Sequence, residues 1–284
     1  MSAPGLLGVF AHPDDEQLMS GVYAQAALDG IPTGLICATR GELGEIAHPD
    51  LATPENLGQV REHELRAACT VLGIKYLWFL DYRDSGMAGT EGNEDPASFS
   101  RANEEEVVGK IVKLVREFKP AVMVTFDPTG GYGHPDHIAI YRAATAAFHA
   151  AGDPAQYPDA GAPWQPARLF YAGFPRSQTS RFGEVLKELG EDSGLADFAE
   201  GAFGLDDATV THKISVDGWL AVKEKSLLQH RTQHNPDNIL NKLPPEWMQT
   251  MRSTEHYALA AGTPMPPGDT SQDNLFAGLP DSKE

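Results

Sequence analysis

Two short stretches of this chain carry the side chains needed to hold a metal and move a proton. They are His12-Pro13-Asp14-Asp15-Glu16 near the start and His134-Pro135-Asp136-His137 more than a hundred positions later. Catalytic zinc takes three protein ligands and leaves one position open, and two histidines with one carboxylate form a recurrent set. We assign His12, Asp15 and His137 to it. Pro13 disfavours helical geometry at His12, so that ring should project from the segment before it. Asp14 and Asp15 then fall in a first helical turn, where free N–H groups and the helix dipole favour negative charge. Neighbours in such a turn point in different directions, so Asp15 can ligate while Asp14 faces the open position. A divalent ion there makes water acidic enough to act as nucleophile, and Asp14 is placed to take its proton. His134, oriented by Asp136, would serve as the acid or stabilise a tetrahedral oxyanion. Tyr132, in the run Gly130-Gly131-Tyr132-Gly133, would donate a further hydrogen bond, although packing on the surface explains a loop tyrosine equally well. A single Asp in either motif would read as a helix cap; two clusters together favour the metal.

The same ligands would also suit an iron site for oxygen chemistry. Asp14 beside the open position and the α/β pattern described next argue for hydrolysis instead. A third His-Pro-Asp, His48-Pro49-Asp50, lies in a polar loop with no strand before it and reads as surface. His63, His212, His230 and His234 read as surface or packed residues.

Both motifs need elements that bring them together. Each follows an apolar run: residues 5–11 before His12, and residues 121–126 plus a glycine-rich turn before His134. Between them, strand-like and helix-like segments alternate. Strands are expected over 33–39 and 76–80, and helices from Leu18 to the stop at Gly30, from Val60 to Leu72, and from Val107 to Phe118 ahead of Pro120. A helix follows over about 136–151. This alternation predicts an α/β fold: a Rossmann-like, mostly parallel sheet with helices on both faces, plus a smaller C-terminal α+β portion. In the usual doubly wound order, strands one and four are neighbours at the topological switch, and ligands bind beyond their carboxyl ends. Those are the two strands that carry the motifs.

Further along, 152–166 is a Pro/Gly/Asp/Ala-rich connection. Strands are expected over 169–174 and 209–216, a helix over 218–233, and a solvated face or lid over the acidic stretch 184–207. The division that follows is a catalytic core over 1–167, an α+β portion over 168–261 packed on it, and a Pro/Gly-rich tail over 262–284 that is mobile or wraps the surface. The formal charge is −18, from 22 basic and 40 acidic side chains, which opposes nucleic-acid binding. No signal-peptide pattern or membrane-length apolar run occurs. Cys37 and Cys69 read as reduced core thiols of a cytoplasmic protein. The expected partner is a small molecule, with homo-oligomerisation left open.

Ala11-His12-Pro13-Asp14-Asp15-Glu16 together with Tyr132-Gly133-His134-Pro135-Asp136-His137 resembles the PIG-L/LmbE family of zinc-dependent N-acetylglucosamine deacetylases, over the first half to two thirds of the chain. The resemblance implies one Zn2+ per chain, with Fe2+ as an alternative, on His12, Asp15 and His137. It implies Asp14 as general base, His134 with Asp136 supporting the transition state, and Tyr132 at the oxyanion. Arg61 and Asp84 match positions that contact the sugar or its aglycone. The runs 83–90 and 125–128 look like the branch acting in mycothiol biosynthesis, on an N-acetylglucosaminyl-inositol; a related bacillithiol branch acts on the malate analogue. Amidases of thiol S-conjugates look to have Lys three positions after Glu16, where this chain has Met19. A late stretch, residues 226–233, looks like a family helix. A non-catalytic sugar- or metal-binding module is the remaining alternative.

Overall fold

The computed structural model describes residues 5–188, 190, 203–235, 243, 245–265 and 274–279. Five parallel strands come first: β1 (Gly5–Phe10), β2 (Thr33–Cys37), β3 (Tyr76–Phe79), β4 (Pro120–Phe126) and β5 (Arg168–Ala172). Helices α1 (Ser20–Leu28), α2 (Leu57–Leu72), α3 (Glu104–Phe118) and α4 (Pro135–Ala150) lie between them. The sheet order is β3-β2-β1-β4-β5-β7-β6, with β6 (His212–Ser215) and β7 (Thr254–Gly262). β1 pairs with β4 in parallel, Leu6 opposite Val122 and Gly8 opposite Val124. The neighbourhood expected for strands one and four is therefore present, and both motifs emerge at one end of the sheet.

The reason lies in composition. Every residue of β1 is buried, and β4 is buried except at Ala121. Near-continuous apolar runs such as GLLGVF and PAVMVTF suit strands covered on both faces, as a central parallel strand is. One apolar cluster joins them to Val107, Ile111 and Val115 of α3, to Ala144 and Phe148 of α4, and to Tyr257 and Leu275 far along the chain.

Residues after 167 continue this same sheet. β7 lies between β5 and β6 and is antiparallel to both. No element is assigned to it from sequence, because its Ala-rich run has weak strand preference; pairing on both edges is what makes it a strand. Helices α5 (Arg176–Glu188) and α7 (Pro245–Arg252) are likewise unassigned. Most of the acidic stretch 184–207 lies outside the described residues. The helix expected over 218–233 is a correction: α6 covers only Leu220–Leu227. Beyond it the chain turns, and His230 and Thr232 bind the buried carboxylates of Glu16 and Glu64 instead of continuing the helix. Of the tail, residues 262–265 and 274–279 are described. They wrap the core, with the buried Arg168 guanidinium donating to the carbonyls of Thr263 and Leu275, both at 2.9 Å. Cys37 and Cys69 are buried free thiols. Among the described residues no helix is long and apolar enough to cross a membrane.

Candidate metal centre

The loop after β1 does not run straight into a helix. Asp15–Met19 is a 3-10 turn, and Asp14 before it adopts φ 100°, a left-handed conformation uncommon for a residue with a side chain. On the other side, Asp127 at the end of β4 organises the glycine-rich turn. Its carboxylate accepts the Thr129 N–H at 2.7 Å, the Thr129 hydroxyl, and the Gly131 N–H at 3.1 Å. Gly130 sits at φ 65°, and a Cβ there would stand 2.8 Å from Cβ of His137. Only glycine lets the turn close against that histidine.

Nδ1 of His12 and Nε2 of His137 face each other at 3.0 Å. The Asp15 carboxylate lies 3.8 Å from the first and 3.4 Å from the second. The other nitrogen of each ring is already engaged: His137 Nδ1 with the Gly130 carbonyl at 3.0 Å, and His12 Nε2 with Asp136 at 3.2 Å. Those partners accept, so the facing nitrogens are the ones left to hold a cation, in the manner of ligating histidines. Burial disfavours a charge on His12, but hydrogen bonds to Asp136 and Asp84 and the charge of Asp15 outweigh it and raise its pKa to about 10. A proton or a cation on His12 Nδ1 would fill the gap toward His137. Burial and the His12 charge push His137 well below the usual histidine range, so it offers a lone pair.

Ligand atoms of His12, His134 and His137 also lie within 4.8 Å of one another. The chemistry of His134 favours Asp15 as third ligand. His134 caps α4, its Nδ1 accepting the Asp136 N–H at 3.2 Å. Burial and the neighbouring histidines lower its pKa to about 3. The ring is thus neutral, with its proton on Nε2 and no lone pair there for a metal. The set His12, Asp84 and Asp136 is equally close together. Its carboxylates are committed to hydrogen bonds, and both face the nitrogen of His12 turned from His137.

The two sequence clusters thus meet, with differences in how they support one another. The carboxylate of Asp136 binds the Ser85 N–H at 2.9 Å, the Ser85 hydroxyl and His12; what orients His134 is the Asp136 backbone, because a residue at a helix start has a free N–H to give. Asp84 is buried beneath His12, one oxygen accepting the Gly86 N–H at 2.8 Å and the other the Leu43 N–H at 3.0 Å. Arg61 is also buried and donates to the carbonyls of Gly41 at 2.8 Å and Pro13 at 2.6 Å, and to Asp14 at 3.3 Å. Arg61 thus touches Asp14, and Asp84 lies 3.6 Å from His12 Nε2. Asp14 keeps 35% of its side chain exposed and Tyr132 is 43% exposed. Burial, with Asp15 and Glu16 nearby and only partly offset by Arg61, raises the Asp14 pKa to about 6. Burial and the charges of Asp15 and Asp14 raise that of Tyr132. Its ring stands edge-on to His137, centroids 5.0 Å apart.

Ser85, Asp127, Glu16 and His230 are given no role by the sequence: Glu16 enters only within the first motif, Ser85 and Asp127 only within the runs 83–90 and 125–128, and His230 as a surface or packed residue, of which the structure shows it packed. Glu16 directly follows Asp15 and is open to notice; the others carry no spacing signal, and only folding shows what they touch.

An open α/β sheet that gathers His12, Asp15 and His137 at one end, with Asp14 beside them, is an arrangement that could hold a metal ion, as a metal-assisted hydrolase requires. The chain belongs to the PIG-L family, whose model, described as GlcNAc-PI de-N-acetylase, matches residues 7–148. It is 38% identical over 288 residues to a 1D-myo-inositol 2-acetamido-2-deoxy-alpha-D-glucopyranoside deacetylase of Geodermatophilus obscurus, covering 97% of this chain and 98% of that one. A Catenulispora acidiphila protein of the same description is 37% identical, covering 98% and 90%. In fold it is similar to the N,N'-diacetylchitobiose deacetylase of Pyrococcus horikoshii, with TM-score 0.65 and 19% identity, over 90% of this chain and 84% of that one.

Proposed function

We propose that this chain is a zinc-dependent N-deacetylase that removes acetate from a small N-acetylglucosaminide, N-acetylglucosaminyl-inositol being the substrate. The observation that carries the reading is the pair of facing nitrogens on His12 and His137, 3.0 Å apart with Asp15 against both. Zinc on these three residues would supply Lewis acidity toward the amide carbonyl and toward water. Asp14, with its pKa near 6, is ionised at neutral pH yet basic enough to take a proton from the attacking water. His134, neutral and held by the α4 N-terminus, presents its Nε2–H to the oxygen that gains charge, and the Tyr132 hydroxyl is a second donor. When the carbon–nitrogen bond breaks, the proton on Asp14 passes to the leaving amine, giving acetate and the free amino sugar. Arg61 holds Asp14, while Asp84 and Asp136 hold His12.

The inositol aglycone follows the description of the full-length relatives. Met19 is wholly buried, so the position where conjugate amidases look to carry Lys lends this site no cation. The test is acetate release from a panel of N-acetylglucosaminides, with and without chelator. Release from the inositol glycoside, lost on chelation, restored by zinc and undiminished without oxygen, is expected. Binding without release by the zinc-loaded protein would reduce it to a sugar- or metal-binding module.

A further inference from the structure

One buried polar pair near the site has no place in the chemistry above. Glu16 and His230 are 0% and 1% exposed, and His230 Nε2 lies 2.6 Å from Glu16 Oε1. Gln17 donates to that same oxygen at 2.7 Å and to Ser226 at 2.7 Å. The other oxygen, Oε2, accepts the backbone N–H of Asp14 at 3.0 Å. Both oxygens of Glu16 are therefore acceptors, and one of the groups they hold is the strained backbone of Asp14. Two residues past His230, Thr232 gives its N–H and hydroxyl to the Glu64 carboxylate at 2.8 and 2.6 Å. Glu64 lies on α2 three residues from Arg61, whose guanidinium holds the Asp14 carboxylate. The segment after α6 thus reaches Asp14 by two routes, one to its backbone and one to its side chain.

We infer that His230, acting through Glu16, is a positioning residue that keeps Asp14 in the backbone conformation its role as base requires. The inference rests on the assignment of Asp14 as base. A buried pair that served stability alone could link any two elements. This one ends on the N–H of a residue at φ 100°, where a left-handed backbone needs its surroundings to hold it.

The experiment compares His230→Leu with His230→Gln in the zinc-loaded full chain, using N-acetylglucosaminyl-inositol. Leucine removes the donor to Glu16, while glutamine can place an N–H near Nε2. We expect His230→Leu to lower kcat by about tenfold to a hundredfold, the usual range for groups one step behind a metal site. KM should change by less than about twofold, since ground-state binding is untouched. Zinc content should stay at the parent's level, and His230→Gln should recover most of the loss. Parent-like kcat in His230→Leu, loss of zinc, or a glutamine variant as slow as the leucine one would overturn the inference. Should the leucine variant fail to fold, Glu16→Leu reads the same link: it removes the acceptor of both His230 and the Asp14 N–H, so the same fall in kcat is expected and its absence is fatal. Asp14→Ala is assayed alongside. If it stays active, the base assignment falls and the inference with it; if it is dead while His230→Leu is normal, only the inference falls.

Discussion

As the proposed base, Asp14 combines a chemical role with a backbone cost. A side chain at φ 100° is strained by roughly 1–3 kcal/mol, and glycine would relieve it. Asp14→Ala and Asp14→Gly should each lose about two to four orders of magnitude in deacetylation with zinc retained. Their stabilities should differ, glycine melting above alanine by about 1 kcal/mol in thermal unfolding; equal melting would deny the strain. The same residue sets the acid side of the pH profile. Burial raises its pKa to about 6, and a base must be unprotonated, so kcat/KM should fall about tenfold per pH unit below that point. A bound dication stabilises the carboxylate, so the limb belongs at or below pH 6. A limb well above pH 7 would assign the titration to another group.

At the scale of elements, β7 ties the later chain to the site. Glu255, near its start, accepts the Gly21 and Val22 N–H groups at 2.8 and 3.0 Å and so caps α1, the helix that follows the ligand loop. His256 beside it is buried, and burial together with Lys213, its partner across the strand pair, lowers its pKa to about 4. Its folded pKa lies below the unfolded value of 6.5, so the unfolded chain binds the extra proton. The contribution to stability is full above about pH 6.5 and is lost as pH falls toward 4. Urea midpoints should therefore decline more steeply over that window in the parent than in His256→Leu; parallel declines would remove His256 as a cause. β7 also marks the limit of what was legible. The five parallel strands could be read because their apolar runs are long and bounded by Gly and Pro. The facing of His12 and His137 could be read because both follow adjacent strands. β7 and the end of α6 could not, since an Ala-rich strand and a broken helix owe their form to partners distant in sequence. For the same reason, Arg61 and Asp84 could be singled out while their hydrogen bonds to Asp14 and to the Leu43 and Gly86 backbone could not.

For the molecule as a whole, metal and proton would compete for one place: hydrogen bonds to Asp136 and Asp84 and the charge of Asp15 raise the His12 pKa to about 10, and a cation at its Nδ1 would have to displace that proton. Zinc uptake should release about one proton per ion, and affinity should weaken as pH falls. Calorimetric titration in two buffers of different ionisation enthalpy measures this; a buffer-independent heat would contradict it. On the proposed ligand set zinc would bind the folded form selectively, so stripping it should also lower Tm, and adding it back should restore Tm.

The placing of β7 between β5 and β6 has a consequence for biosynthesis. A growing chain that has emerged only as far as β6 already possesses His12, Asp15 and His137, yet β6 has nothing to pair with and β5 presents an open edge able to recruit strands from other nascent chains. The β5 edge is covered, and α1 acquires its cap, only when the ribosome has delivered residues 254–262. Interrupted translation should therefore yield insoluble rather than merely inactive products.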